Sequence, residues 1–562
     1  MADVNSDTEL DYESDVDISP ENDFLEDVEP DDDGAEVAAA ATQPAHAAVP
    51  ADAAQVAAPA LNGEDGDWSP EATDIIIQDF TEHTGPRHNL GPHACPLDFF
   101  WLMFPIALLT ILVEETNRYA QQCIMRIPNS SWYDTDINEM RAFLAIQIIF
   151  GIKQQPQLWM YWSEDRRFND AWVSGIMTIQ RFKNLSRYFH CRDTSATPPR
   201  GSENYDPLFK VRNVIQTTQR TFNECFQVCR DLSVDECMVA FKGRLSFKQY
   251  MPAKPTKWGI KIWSVCDARL GYCVGYDVYT GKASRKNPRK PLGFEVVDSL
   301  CSPHFGKGHH VYVDRFFNSV DLAEHLSENG TYLCGTIMSN RKGLPPAMKR
   351  KMKTKGELMQ LQKGNLVTTA FHDKRTVHLL STNQIMGTAE DGRPLVLSDY
   401  NKYMGGVDKL DQQLSYYPVG RPGKKWWRYI VWHIINTAVY NAFIIWNKSA
   451  HNFPILKTYD HMMFRCDIAD GLINGFCSRK LPGRKATRLQ AIPEGTIKHH
   501  VISKIAGRKR SCVLCSLEKR KTPKGYPIET SFICKFCDVP LCKKLCFSKY
   551  HELGMNINEY CG

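Results

Sequence analysis

The first Lys or Arg of this 562-residue chain is Arg87, and 24 of its 64 acidic residues, from Asp3 to Glu82, come before it. Such a stretch repels itself, and it has too few large apolar side chains to offset the entropy of ordering. Acidic runs (residues 26–33) give way to an Ala/Pro tract (37–60), a composition that reads as disordered. Residues 1–90 are therefore set apart as an acidic tail. Ile75-Ile76-Ile77 is its one short apolar patch, able to dock or to form a transient helix. The rest of the chain has the opposite character. It holds 68 basic against 40 acidic side chains, a net of +28 that the overall +4 conceals. A body so basic points to a polyanionic partner.

At roughly 150 residues per domain the remainder makes several folded units. Its cores are supplied by 43% hydrophobic residues and 12 Trp. The acidic N-terminus lacks the apolar segment of a secretory signal. Residues 99–113 are apolar but short and contain Pro105, and 429–446 carry His433, Asn436 and Asn441. A membrane span wants about 20 clean apolar residues, so both read as buried core helices and no membrane partner is expected. The chain is expected inside the cell, with its 19 Cys held as thiols or metal ligands rather than disulfides.

Apolar residues at three- and four-residue spacing predict helices at 99–119, 138–150 and 178–189, with Asp136 as N-cap of the second. From 232 the period changes. Residues 232–241, 259–265 and 271–279 read as strands rich in Val, Ile, Tyr and Trp, the last two joined by a turn at 267–270. A helix near 293–300, a strand at 309–313, a helix at 319–329 and a strand at 332–337 follow. This β-β-β-α-β-α-β order predicts three antiparallel strands leading into alternating α/β. Residues 340–395 are basic and irregular and read as an insertion. Helices return at 406–414 and 426–446. The predicted domains are the tail (1–90), a helical region (91–230), an α/β core in two parts (231–338 and 398–455) around an insertion (339–397), a helical return and basic linker (456–498), and a cysteine-rich domain (499–562).

Three acidic positions stand out. Asp235 lies within the first strand (LSVDECMVAFKGR), Asp314 closes a later one (HHVYVDRFFNS), and Asp408 with Asp411 opens a helix after Gly-Gly (NKYMGGVDKLDQ). The i, i+3 pair shares a helix face. Carboxylates on strands are costly unless paired or bound to a cation. Brought together, they offer hard oxygen ligands suited to Mg²⁺, with Mn²⁺ as a substitute. Two such ions about 4 Å apart activate an attacking oxygen and stabilise a leaving one in phosphodiester chemistry.

Cys512, Cys515, Cys534, Cys537, Cys542, Cys546 and His551 give seven metal ligands near the C-terminus. Repeated Cys-x2-Cys pairs each pinch a tetrahedral ion from one turn, so two structural Zn²⁺ are expected in a RING/PHD-like cross-brace. So small a module folds around its metal. The eighth ligand is left open between His499, His500 and Cys561. Basic clusters lie at 282–290, 349–355, 421–428 and 508–510, the third interleaved with Trp426-Trp427. Their cations, Arg285, Lys286, Arg289, Lys290, Arg421, Lys424, Lys425, Arg428, Arg508, Lys509 and Arg510, together with Lys254 and Lys257, are expected to contact DNA. Either 508–510 or 282–290 also fits a nuclear import signal.

The segments around Asp235, the following MPAKPTKWGIKIW, and the segments around Asp314 and Asp408 resemble, in order and interval, those of the piggyBac transposase family. EETNRYA (114–120) and the Cys/His array fit as well, so the resemblance spans roughly residues 95–562. It implies an RNase H-like catalytic core with an insertion. A helical dimerisation and DNA-binding region precedes this core, and a zinc domain that recognises terminal repeats follows it. It implies a DDD site at Asp235, Asp314 and Asp408 with Asp411 in support, and it favours His500 as the eighth zinc ligand. It further implies a nuclear homodimer that binds double-stranded DNA at terminal inverted repeats. Such an enzyme nicks the ends, forms hairpins and joins them into TTAA sites. One residue departs from the family pattern: Arg315 follows the second aspartate where Asn is expected. Turned inward, it would weaken ion binding; turned outward, it would contact a phosphate. The alternative is a domesticated, DNA-binding chromatin regulator without transposition. A ubiquitin ligase built on the cross-brace tail is a third class, and it leaves the α/β motifs unexplained.

Overall fold

The computed structural model describes residues 68–552 apart from 130, 200, 253, 282–288, 453–458, 479–501 and 536. The acidic tail as far as residue 67 therefore lies outside the described residues, as do Arg285, Lys286, His499, His500 and Cys561.

Disorder was expected through residue 90, and from Trp68 onward that is corrected. Residues 68–90 form an extended strap rather than a helix, pinned by side chains of the body. Trp68 Nε1 donates to Gly343 O (3.3 Å), and Ser69 forms a backbone bridge with Gln362. The Gln362 amide accepts from Thr73 N (3.0 Å) and donates to Thr73 O (2.9 Å). Asn365 reads the backbone of Ile76 in the same way (3.1 and 2.6 Å). Phe80 packs on His309, and β1 (Gly85–Pro86) pairs with β2 (Phe226–Gln227). Body residues make these bonds, so the strap's own composition carries little trace of them.

Six helices follow the strap: α1 (Pro96–Met103), α2 (Ile106–Arg126), α3 (Ile137–Ile152), α4 (Ala171–Ile176), α5 (Ile179–Tyr188) and α6 (Arg212–Glu224). The single helix expected at 99–119 is two, bent by 70°, because Pro105 lacks an N–H and its ring clashes with the preceding turn. Asp136 caps α3 as expected, its side chain accepting from Glu139 N.

The sheet is built from β3 (Asp231–Ala240), β4 (Gln249–Tyr250), β5 (Trp258–Asp267), β6 (Cys273–Val278), β7 (His310–Val313) and β8 (Tyr332–Thr336), with α7 (Leu292–Cys301) and α8 (Val320–Glu328) as crossovers. Its central order is β6-β5-β3-β7-β8. β5 is antiparallel to β3 and β6, while β3, β7 and β8 run parallel. That is the RNase H-like arrangement.

The stretch expected to be irregular holds three strands, β9 (Leu358–Lys363), β10 (Leu366–His372) and β11 (Thr376–Ser381). They extend the same sheet antiparallel beyond β8. Each is short and sits between basic turns, so no window long enough to show a period of two stands clear of the charge. Then come α9 (Leu395–Tyr403), α10 (Gly406–Tyr416), α11 (Trp426–Lys448) and α12 (His461–Ile473).

One apolar core runs from Phe100 and Phe143 through Val265 to Trp427 and Phe464, and a smaller one joins Tyr312 and Leu379 of the sheet to Val396 and Tyr400 of α9. α11 is long and apolar enough to cross a membrane. It packs instead against α1, α6, α10 and α12, with Trp427 and Trp446 fully buried. The C-terminal module has its own small core around Leu514, Leu541 and Tyr550. It comprises β12 (Ile502–Lys504), β13 (Arg510–Ser511), α13 (Val513–Leu517), β14 (Glu529–Thr530), β15 (Phe532–Cys534), β16 (Val539–Pro540) and α14 (Cys546–Glu552).

Candidate functional site

β3 and β7 are parallel, and their last register pair is Val234 with Val313. An aspartate follows each, so Asp235 and Asp314 stand on the same step of strands about 4.8 Å apart. Side chains alternate along a strand, which puts Ser233, Asp235 and Cys237 on one face, and α10 covers that face. Val407 N donates to Ser233 Oγ (3.2 Å), and Lys409 Nζ donates to Ala268 O (2.9 Å). Gly406 lies so close that a Cβ would meet Ser233 Oγ at 2.4 Å and Ala268 Cα at 2.9 Å. The glycine is thus what lets the helix start against the sheet. One turn on, Asp411 comes beside Cys237, whose Sγ lies 3.5 Å from Ser264 Oγ. α10 therefore spans β3 from Ser233 to Cys237 and brackets Asp235, with Asp408 exposed in its first turn.

Three further charged side chains join this cluster, Glu236, Lys254 and Lys261, the last with its Nζ 3.9 Å from Glu236 Oε2. Asp235 Oδ1 accepts from Glu236 N (2.8 Å), and Lys254 Nζ stands 4.0 Å from Asp235 Oδ2 and 3.8 Å from Glu236 Oε1. Burial and the Glu236 charge push Asp235 up to about 8 despite Lys254. Burial pushes Asp411 up to about 6, against the influence of Cys237 and Lys254 beside it. Asp314 is also raised by burial, although Phe316 N donates to its Oδ1 (2.8 Å). For Lys254, burial works downward, but Asp235, Glu236, Asp408 and Asp411 outweigh it and hold the ammonium above the ordinary lysine range.

These carboxylates are short of positive charge. Among the described residues no three of their oxygens lie within 4.8 Å of one another. Hard oxygen donors with this charge deficit suit a divalent cation. Sequence reasoning missed Glu236 and the role of Cys237; the period-two run Ser233-Asp235-Cys237 was the signal that linked the thiol to the site.

Arg315 is exposed beside Asp314. Of the other expected DNA contacts, Lys257, Arg289, Lys424, Arg508, Lys509 and Arg510 are exposed. Several others are committed within the fold. Arg421 Nη1 donates to Gln155 O (2.8 Å), and Lys425 Nζ donates to Arg187 O (3.3 Å). Arg428 donates to Ser186 O and Arg187 O, so two cations close the carbonyl end of α5. Lys290 pairs with Asp321 (2.8 Å). Trp427 is core and stacks on Phe189.

The cysteines converge more tightly. Cys512, Cys515, Cys542 and Cys546 form one four-ligand group, and Cys534, Cys537 and His551 form a three-ligand group. The Cys515–Cys546 and Cys515–Cys542 sulfurs are 3.5 and 3.9 Å apart, near the edge of about 3.8 Å that Zn–S bonds of about 2.3 Å imply for a tetrahedron. The first and third pairs share one site and the second pair joins His551, which is the interleaving of a cross-brace. His551 Nδ1 lies 2.7 Å from Phe547 O, which leaves Nε2 facing Cys537 Sγ (3.5 Å) as the ligand atom.

A family model described as Transposase IS4 matches residues 95–443, and one described as a DDE_Tnp_1-like zinc finger matches residues 495–552. The chain is 25% identical over 487 residues to PiggyBac transposable element-derived protein 3 of Homo sapiens, covering 81% of this chain and 76% of that protein. PiggyBac transposable element-derived protein 5 of Homo sapiens is 24% identical over 410 residues, covering 68% of this chain and 76% of that one. In three dimensions the chain is similar to a chain of the piggyBac transposase synaptic complex with hairpin DNA, solved by cryo-EM. The TM-score is 0.64 at 24% identity, over 82% of this chain and 98% of the other. That likeness is one of fold.

Proposed function

The chain belongs to the piggyBac transposase family, and from that membership we propose that it is an active DNA transposase whose strand chemistry is carried by Asp235, Asp314 and Asp408. The observation that carries this reading is the register: Val234 opposite Val313 sets two aspartates side by side beneath the acidic helix α10. Asp235, Asp314 and Asp408 would hold two Mg²⁺, and Asp411, beside Cys237, would support them. When bound, such ions activate the attacking water or 3′-hydroxyl and neutralise the leaving oxygen. The exposed cations Lys257, Arg289, Arg315 and Lys424 would meet the phosphate backbone.

The C-terminal module would hold two Zn²⁺. The eighth ligand in this reading is His500, which the family resemblance favours. The DNA partners in this reading are terminal inverted repeats and a TTAA target, bound by a homodimer in the nucleus.

A second reading, a DNA-binding regulator without transposition, draws on Arg315 in place of the expected Asn. Incubating the purified chain with duplexes carrying the repeats that flank its gene separates the two. Mg²⁺-dependent nicks and hairpin ends support the first reading, whereas binding without cleavage supports the second.

A further inference from the structure

Lys254 belongs by sequence with the DNA-facing cations, but its side chain turns inward. Its Nζ donates to Glu236 O (3.1 Å), and only 26% of the side chain is exposed. The loop between β4 and β5 delivers it. Met251 N donates to Lys257 O (2.8 Å) to close that loop, and Lys254 N donates to Met251 O (3.2 Å) within it. Pro252 and Pro255 stiffen the turn. Lys257, on the same loop, is exposed, so the loop presents one cation outward and the other to the carboxylates. The two kinds of contact differ. The bond to the Glu236 carbonyl is a proper hydrogen bond, while Asp235 at 4.0 Å and the Glu236 carboxylate at 3.8 Å are ion-pair neighbours only.

Lys261 Nζ lies 3.9 Å from Glu236 Oε2, whereas Lys254 reaches both Glu236 and Asp235. We propose that Lys254 is the resident cation at Asp235, a positioning residue that holds Asp235 beside Glu236 until a divalent ion takes Asp235 from it. This rests on the reading of Asp235 as an ion ligand. The carbonyl bond fixes the ammonium, and the looser pairing with Asp235 is what an arriving ion displaces. A fixed positive charge about 4 Å from a ligand oxygen repels a second cation. Lys254 therefore sets the ion affinity of the site below that of the bare carboxylates and keeps them from drifting apart when empty.

Calcium titration of the zinc-loaded full chain by calorimetry tests this without DNA or turnover. Calcium binding at the acidic tail is common to all variants, and the Asp235-dependent part is the difference from Asp235→Asn. Lys254→Met is expected to tighten that part at least about tenfold, and Lys254→Arg to leave it within about twofold of wild type. In an Asp235→Asn background, Lys254→Met is expected to change nothing. If Lys254→Met does not fold, Lys254→Gln removes the same charge and gives the same comparison.

Calcium affinity unchanged or weakened by Lys254→Met overturns the proposal. That result, together with a DNA-binding salt slope reduced by about one, would assign the residue to a phosphate instead. Calcium binding that survives intact in Asp235→Asn alone overturns the metal reading of the site as well, a result distinguishable from failure of the lysine's role.

Discussion

Asp235 and Asp314 sit one residue beyond the Val234–Val313 pair, on the same step of two parallel strands. The sheet thereby sets two partly buried carboxylates on adjacent strands, a cost that a bound cation would offset. Asp235→Asn and Asp314→Asn are each expected to leave the thermal midpoint of the metal-free chain unchanged or higher, because each removes a like-charge contact. A midpoint lowered by several degrees would mean that the carboxylates are structural.

Gly406 admits α10 to the sheet. Gly406→Ala would place a methyl 2.4 Å from Ser233 Oγ and 2.9 Å from Ala268 Cα, and backbone does not yield as a flexible side chain does. We expect a loss of about 1–3 kcal/mol in denaturant unfolding, together with weaker ion binding as Asp408 and Asp411 shift. Unfolding identical to wild type would show that the helix start has slack.

For the cysteine module, metal analysis is expected to give two zinc ions per chain. Cys546→Ser should lose the ion held by Cys512, Cys515 and Cys542, and His500→Ala should lose the one held by Cys534, Cys537 and His551. If His500→Ala keeps both ions, the eighth ligand lies elsewhere.

The strap makes a prediction that the acidic composition conceals. Truncation before Trp68 should leave stability near wild type. Truncation through residue 80 removes the bonds at Gly343, Gln362 and Asn365, at about 0.5–1.5 kcal/mol each. A clear drop in midpoint is therefore expected for the longer truncation only. Equal midpoints would make the strap ornamental.

What was legible in the sequence follows from where the information is local. β3, β5 and β7 announce themselves because runs such as VYV are β-branched and aromatic and end at turns. α3 announces itself through Asp136 and its apolar spacing. The ordering of residues 68–90 and the joining of β9, β10 and β11 to the sheet depend on partners hundreds of residues away, such as Gln362 for Thr73. The carboxylates were identifiable by their strand and helix positions, yet Lys254 was not. Only the folded loop shows that it faces Asp235, while its neighbour Lys257 faces solvent. Likewise Arg421, Lys425 and Arg428 form a basic run in sequence but close carbonyls in the fold.

The most direct test of the central claim is strand cleavage of duplexes carrying the flanking terminal repeats, with Mg²⁺ present or withheld. Metal-dependent nicking followed by hairpin ends is expected, reduced at least about a hundredfold in Asp314→Asn while DNA binding persists. No cleavage by the wild-type chain in Mg²⁺ or Mn²⁺, or cleavage equal in Asp314→Asn, would contradict the claim.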